Sequence, residues 1–185
     1  MLRSTSLHSL QLPDHTPYLV GPVARLNLCR DRLPPAARRL ADTCGIDWPL
    51  QNPFQSIVAR AIEVVGAFET AVAIARAAVA EINPCRVEVV PRAGTSCHAT
   101  EAPRGLLYHR YSIGADGLIS AATIIPPTSQ NQSQIEEDLR GLLPAVLDLN
   151  NDLATQRCER LIRSYDPCIS CAKHFLRFTV ERPAG

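Results

Sequence analysis

The sequence predicts an α+β fold dominated by helix, with long helices and a small antiparallel sheet. Three observations carry that expectation. From Phe54 to Val72 apolar residues recur at three- and four-residue steps, the period of a helix face. Two short segments rich in strand-forming residues, Leu106–Ile113 and Leu118–Ile125, flank Gly114-Ala115-Asp116-Gly117, a good hairpin turn. Helical patterning then returns from Asn131 onward, so the strands sit between two helical regions.

Each element has a local reason. Residues 1–16 are polar and irregular and read as a flexible N-terminus. Tyr18 to Leu28 carries a Gly-Pro break in an apolar run and reads as extended chain with a turn. Arg30 to Gly45 reads as a short helix begun by Pro34-Pro35. Asn52 is a cap ahead of Pro53 at the first helical position, and Phe54, Val58, Ile62, Val65, Phe68 and Val72 form the stripe that follows. If that helix continues to Asn83-Pro84, about thirty residues would span roughly 45 Å. That is long for a small free-standing domain. Arg86 to Val90 reads as a strand ahead of the hairpin. The later helical region breaks at Pro144 and near Asn150-Asn151. Its last helix, with Leu153, Cys158, Leu161 and Ile162, ends before Asp166-Pro167.

Composition narrows the function classes. At 185 residues the chain suits one domain. Its 46% hydrophobic and 20% charged content is that of a globular protein. Nineteen basic against eighteen acidic side chains give no surplus for nucleic acid. No apolar run approaches the roughly 20 residues of a membrane span, and the N-terminus lacks a secretory apolar core. Seven cysteines, at 29, 44, 85, 97, 158, 168 and 171, are odd in number and mostly isolated. A reducing cytoplasm fits that usage better than a disulfide framework.

Chemistry concentrates in Cys168-x-x-Cys171-x-x-His174. By itself the motif admits a thioredoxin-like redox pair, a zinc site completed by Cys97 or His98, or side chains that merely fill a core. The redox pair fits least, because the motif follows a helix instead of opening one.

The surrounding residues add a resemblance. "SYDPCISCAKH" resembles the C-terminal signature of the large subunit of nickel–iron hydrogenases, Asp-Pro-Cys-x-x-Cys-x-x-His. "TEAPRGLLYHRY" resembles the family's Glu-Ala-Pro-Arg-Gly segment, and "IIPPTSQNQSQIEEDLRGL" its proline–hydroxyl–Asn segment. "YLVGPVARLNL" and "NPFQSIVARAIEVV" are similar to earlier stretches of the same C-terminal half, and the wording is most like the soluble, cofactor-reducing group. The resemblance covers residues 18 to about 182 in order. It implies the fold of that C-terminal half over residues 17–174, with a tail at 175–185.

The resemblance also implies roles. Cys168 would be a terminal thiolate on nickel, and Cys171 a thiolate bridging nickel and iron. His174 would bind magnesium, with the carbonyl of Ile124 as a further ligand. Arg104 would stand beside the cluster as a fixed planar donor. Pro103 and Pro127 would wall the cyanide and carbon monoxide ligands of the iron, and Thr128 would donate to a cyanide. Arg104, the two prolines and Thr128 could equally be an ion-pair former and turn residues. Glu101 and His109 could be supporting partners or simply satisfied polar groups. The implied partners are a small subunit with iron–sulfur clusters, a polypeptide supplying the N-terminal half, and a maturation protease that cuts after His174.

Two departures qualify the picture. The family's site takes four thiolates, two of them from an N-terminal Arg-x-Cys-Gly-x-Cys segment that these residues lack. The chain therefore reads as a truncated C-terminal half of a hydrogenase that interconverts dihydrogen with protons and electrons, inactive alone. The rival reading is a non-catalytic metal-binding or assembly protein derived from that fold. Ahead of the arginine, Ser96, Cys97 and His98 also stand where the family approaches through glycines.

Overall fold

The computed structural model describes residues 16–77, 86 and 88–168. Helix dominates, and the strands form a single three-stranded antiparallel sheet among the described residues. The expected α+β class is the observed one.

The first helix, α1 (Pro22–Cys29), replaces the extended chain expected over Tyr18–Leu28. The Gly-Pro pair starts a helix here and does not break one. Pro22 occupies the first helical turn, where its missing N–H costs nothing, and Gly21 leads in at φ 106°. Val23 and Leu26 then fall on one buried face. Helix α2 (Pro35–Thr43) begins at the expected proline pair, and the carboxylate of Glu69 accepts from Ala36 N–H (2.8 Å) in its open first turn. The Asn52 side chain accepts from Phe54 N–H (3.0 Å), as a cap should. One 3-10 turn, Pro53–Gln55, leads into α3 (Ser56–Ala77), and the rest of the stretch expected to be helical lies outside the described residues.

The face that α3 buries keeps half of the predicted stripe: Ile62 is buried and Val58 and Val65 pack against the core, whereas Phe54, Phe68 and Val72 are exposed. Ala59, Ile62 and Gly66 pack inward, while Phe68 is 70% exposed. Small residues win that face because α2 comes close. A methyl group added at Gly66 would stand 3.3 Å from the Ala37 Cβ. Val23, Leu26, Ala37, Ala41, Leu50, Ala59 and Ile62 make the core shared by α1, α2 and α3. Leu26 and Ile62 are all but fully buried, each worth about 1.5–3 kcal/mol over an exposed position.

Residues 86 and 88–90 are not strand, contrary to expectation. The missed strand is β1 (Gly94–Ala102), which pairs along its whole length with β2 (Gly105–Ile113). Its sequence, Gly-Thr-Ser-Cys-His-Ala-Thr-Glu-Ala, lacks apolar alternation because its side chains are exposed, so only pairing marks it as a strand. β3 (Ile119–Ile125) closes the hairpin as predicted, with Gly114 N–H donating to the Leu118 carbonyl (2.9 Å). Helix α4 (Pro127–Leu142) starts four residues earlier than read, again with proline in the first turn. Leu143–Ala145 form a 3-10 turn at the expected Pro144 break. Asn150 caps α5 (Asn151–Ser164) by accepting from Leu153 N–H (2.9 Å).

Val146, Ala154 and Cys158 form a second small core beside α5. Burial pushes the Cys158 thiol above its ordinary pKa, which lowers the thiolate fraction that reacts. Iodoacetamide applied to the native chain should therefore modify the exposed Cys29 and Cys97 well before Cys158. Peptide mass mapping checks the order, and equal rates at Cys29 and Cys158 would contradict this packing.

Candidate functional site

The first two turns of α4 are unusual for their buried polar residues: Ser129, Gln130, Asn131 and Ser133 are all inside. Their partners explain it. The Asn131 side chain accepts from Val20 N–H (2.8 Å) and donates to the Val20 carbonyl (3.1 Å), so it pairs with one residue's main chain as a strand would. Gln130 donates to the carbonyl of Leu106 (2.5 Å) and accepts from the Tyr18 hydroxyl (3.4 Å). Residues 18–20, the start of β2 and α4 are thereby held together by partly buried hydrogen bonds, where losing a partner costs about 1–3 kcal/mol.

Gly21 and Gly105 make the next contact. A Cβ at Gly21 would lie 2.6 Å from the Arg104 carbonyl oxygen, and one at Gly105 would lie 2.6 Å from Val20 Cγ2. Only two glycines let these backbones touch, and both have positive φ, at 106° and 134°. The contact presents Arg104 at the turn between β1 and β2.

Arg104 reaches the end of α5. Its Nε donates to the Asp166 carbonyl (2.8 Å) and lies 3.2 Å from the Asp166 carboxylate. Arg60, from α3, meets the same carboxylate at 3.3 Å and donates to the Ser164 carbonyl (2.8 Å). Asp166 has φ 53°, the left-handed conformation that aspartate tolerates better than most side chains. The Arg104 and Asp166 side chains are 43% and 40% exposed, so the pair is worth about 0–1 kcal/mol in stability. Its consequence is positional: it ties the β1–β2 turn to the segment that carries Cys168.

Cys168 itself is half-buried, and its N–H donates to the Thr128 hydroxyl at 3.4 Å. Arg104, Thr128, Asn131, Tyr165 and Pro167 line one small cavity. A larger one of about 300 Å³, bordered by Val20, Leu50, Arg104, Asn131 and Tyr165, lies alongside. The Tyr165 hydroxyl donates to the Asp138 carboxylate, which also accepts from Gln134 (3.0 Å). Burial, then that bond, raises the Tyr165 pKa, so the phenol stays protonated.

The predicted site residues distribute as follows. Arg104, Thr128 and Cys168 converge. Pro103 precedes Arg104 in the same turn and is exposed, while Pro127 is buried in the first turn of α4. Ile124 sits on β3, opposite His109 and 46% exposed. Cys171 and His174 lie outside the described residues, as do residues 1–15 and the tail. Among the described residues no three His, Cys, Asp or Glu side chains cluster as a metal site. Glu101 accepts from Arg25 (2.7 Å), and His109 Nδ1 pairs with the Tyr111 hydroxyl (2.9 Å). Arg25, Arg60, Asn131 and Asp166 are the structural partners that sequence reading missed. The signals available were a lone arginine inside the apolar run Tyr18–Leu28 and the places of Asn131 and Asp166 within the quoted motifs.

Comparison with known proteins identifies the family and the fold. The family model described as nickel-dependent hydrogenase matches residues 14–174. The chain is 33% identical over 175 residues to the alpha chain of sulfhydrogenase 1 from Pyrococcus furiosus, covering 92% of this chain and 40% of that protein. It is 33% identical over 184 residues to a chain of the F420-non-reducing hydrogenase of Methanothermobacter marburgensis, covering 94% and 38%. The crystal structure of an NAD+-reducing NiFe hydrogenase in the H2-reduced state superposes with a TM-score of 0.75 at 28% identity, over 88% of this chain and 37% of that one. The chain thus spans about two fifths of the length of these relatives. No described helix is long and apolar enough to cross a membrane. By its motifs, its fold and these matches, the chain belongs to the nickel-dependent hydrogenase family.

Proposed function

We propose that these residues form the C-terminal region of a hydrogenase large subunit, contributing two thiolates, Cys168 and Cys171, to a nickel–iron centre. The observation that carries the reading is the convergence at the end of α5. There the Cys168 amide rests on Thr128, two residues beyond the aspartate that Arg104 holds. The donor set fits the metals, since soft thiolates suit nickel and iron. When bound, the centre would supply the redox chemistry of dihydrogen oxidation.

The chain's own residues do the rest. With the centre bound, Arg104 would offer its ligands a fixed, planar cation and Thr128 a hydroxyl donor, and the buried Pro127, with Pro103 beside Arg104, would wall the iron's ligands. His174 and the Ile124 carbonyl would hold magnesium. Two thiolates of four leave the centre incomplete, so the remaining pair comes from the rest of the large subunit, on this polypeptide or another. Exposed apolar side chains on α3 and β3, among them Ile57, Val64, Phe68 and Ile119, support a covering surface of that kind. A small subunit with iron–sulfur clusters carries the electrons, residues 17–174 form the working region, and a maturation protease removes 175–185 in the cytoplasm.

Metal content tests the ligands. After nickel loading and desalting, Cys168→Ser and Cys171→Ser should each lose most of the bound nickel, and Cys44→Ser should retain it. Binding should also weaken as pH falls and protons compete for the thiolates. Equal nickel in all three variants, by plasma mass spectrometry, would remove Cys168 and Cys171 from the site.

A further inference from the structure

We propose that Arg25 is the positioning residue of this site, setting where Arg104 stands by gripping the two peptide carbonyls immediately ahead of it. The inference rests on the reading that Arg104 acts at the centre. Its evidence is independent of any metal.

An arginine side chain has five N–H donors in a rigid fork, and Arg25 uses all of them. Nε donates to Glu63 Oε1 (2.7 Å). One terminal nitrogen donates to Glu101 Oε2 (2.7 Å) and the Ala102 carbonyl (3.1 Å). The other donates to Glu63 Oε2 (2.7 Å) and the Pro103 carbonyl (2.9 Å). Glu63 on α3 therefore orients the guanidinium through a two-point bond, and the opposite edge reads the backbone of residues 102 and 103. The Arg25 and Glu63 side chains are each only 23% exposed, so water competes weakly. Hydrogen bonding to Glu63 and Glu101 raises the Arg25 pKa although burial opposes it, so the fork stays charged.

The geometry separates positioning from a simple cross-link between α1 and α3. A cross-link would need only Glu63. Arg25 also fixes the carbonyls of residues 102 and 103, and Gly21, four residues earlier, backs the carbonyl of Arg104 itself. Three consecutive carbonyls are thus placed from one short stretch, Gly21 to Arg25. The Arg104 side chain leaves from that stretch toward Asp166, 62 residues away. A shift at residue 102 or 103 is carried directly into the Arg104–Asp166 contact. Lysine at position 25 has three donors and no fork, so it abandons at least two of the five bonds.

The reactivity of Arg104 toward phenylglyoxal, mapped by peptide mass spectrometry on the full chain without metal, tests this. Arg104 is accessible to the reagent, and the Asp166 pair should slow its modification. Arg25→Lys should raise the Arg104 rate about three- to fivefold, about the most that an exposed pair of this kind can hold back. Asp166→Asn, which breaks the pair directly, sets the scale. The rate at the exposed Arg163 should stay constant in each. If Arg25→Lys fails to fold, Glu63→Gln loosens the same fork and should raise the Arg104 rate by a smaller factor, about twofold. An unchanged Arg104 rate in the folded variant overturns the proposal. Because no metal is present, that failure is distinct from failure of the hydrogenase reading, which the activity of the complete enzyme decides.

Discussion

Gly105→Ala should destabilise the chain by about 2–6 kcal/mol, summing about 1–3 for a side chain at such a φ and about 1–3 for overpacking. The new methyl group would meet Val20 Cγ2 at 2.6 Å and the Gly21 nitrogen at 2.9 Å, both inside contact distance. Val20 cannot retreat, because both its amide and its carbonyl are bonded to Asn131. A domain is typically stable by only about 5–15 kcal/mol, so much of the fold's margin is at stake. Gly141→Ala is the control: it lies in α4 with nothing within 4 Å, and alanine in a helix is favoured by up to about 1 kcal/mol. Urea denaturation followed by circular dichroism should move the two midpoints in opposite directions. A Gly105→Ala midpoint equal to the parent's would refute the close backbone approach that presents Arg104.

The other large effect concerns turnover. These 185 residues by themselves should give no hydrogen-dependent reduction of benzyl viologen, because two thiolates leave the metals open to water and exchange. Supplying the maturation machinery, the small subunit, with the rest of the large one, should restore activity. In that complete enzyme Arg104→Lys should lower the rate at least about 100-fold, the usual consequence of losing one preorganised donor at a reacting centre. Lysine keeps the charge but cannot keep both contacts to Asp166 in one plane. Turnover by the 185 residues alone would sink the two-thiolate argument. An unchanged rate in Arg104→Lys would sink the role given to that residue.

Local chemistry in the sequence foretold much of the fold. Prolines at 35 and 53 announce helix starts, Asn52 announces a cap, Asn150-Asn151 announces a helix boundary, and Gly114–Gly117 announces the hairpin, since each acts on its own few residues. The same locality misled at Pro22, where a helix start looked like a break, and at β1, where exposed small residues carry no periodic signal. The predicted stripe on α3 is only part of the buried face, for a related reason. Periodicity identifies an apolar face, but the approach of α2 decided that Ala59 and Gly66 would join Ile62 inside while Phe68 stayed out.

The sequence by itself determined the helix-dominated class, the hairpin, the cysteine pair at 168 and 171, and the motif likeness from which the family could be named. Tertiary structure alone decided how Arg104 is held. Arg25 meets its carbonyl partners 77 and 78 positions along the chain, Arg104 meets Asp166 at a separation of 62, and Asn131 meets Val20 at 111. Periodicity and capping act over a turn or two of backbone. A hydrogen bond that spans most of the chain leaves no local pattern, and it exists only once packing has brought its two ends together.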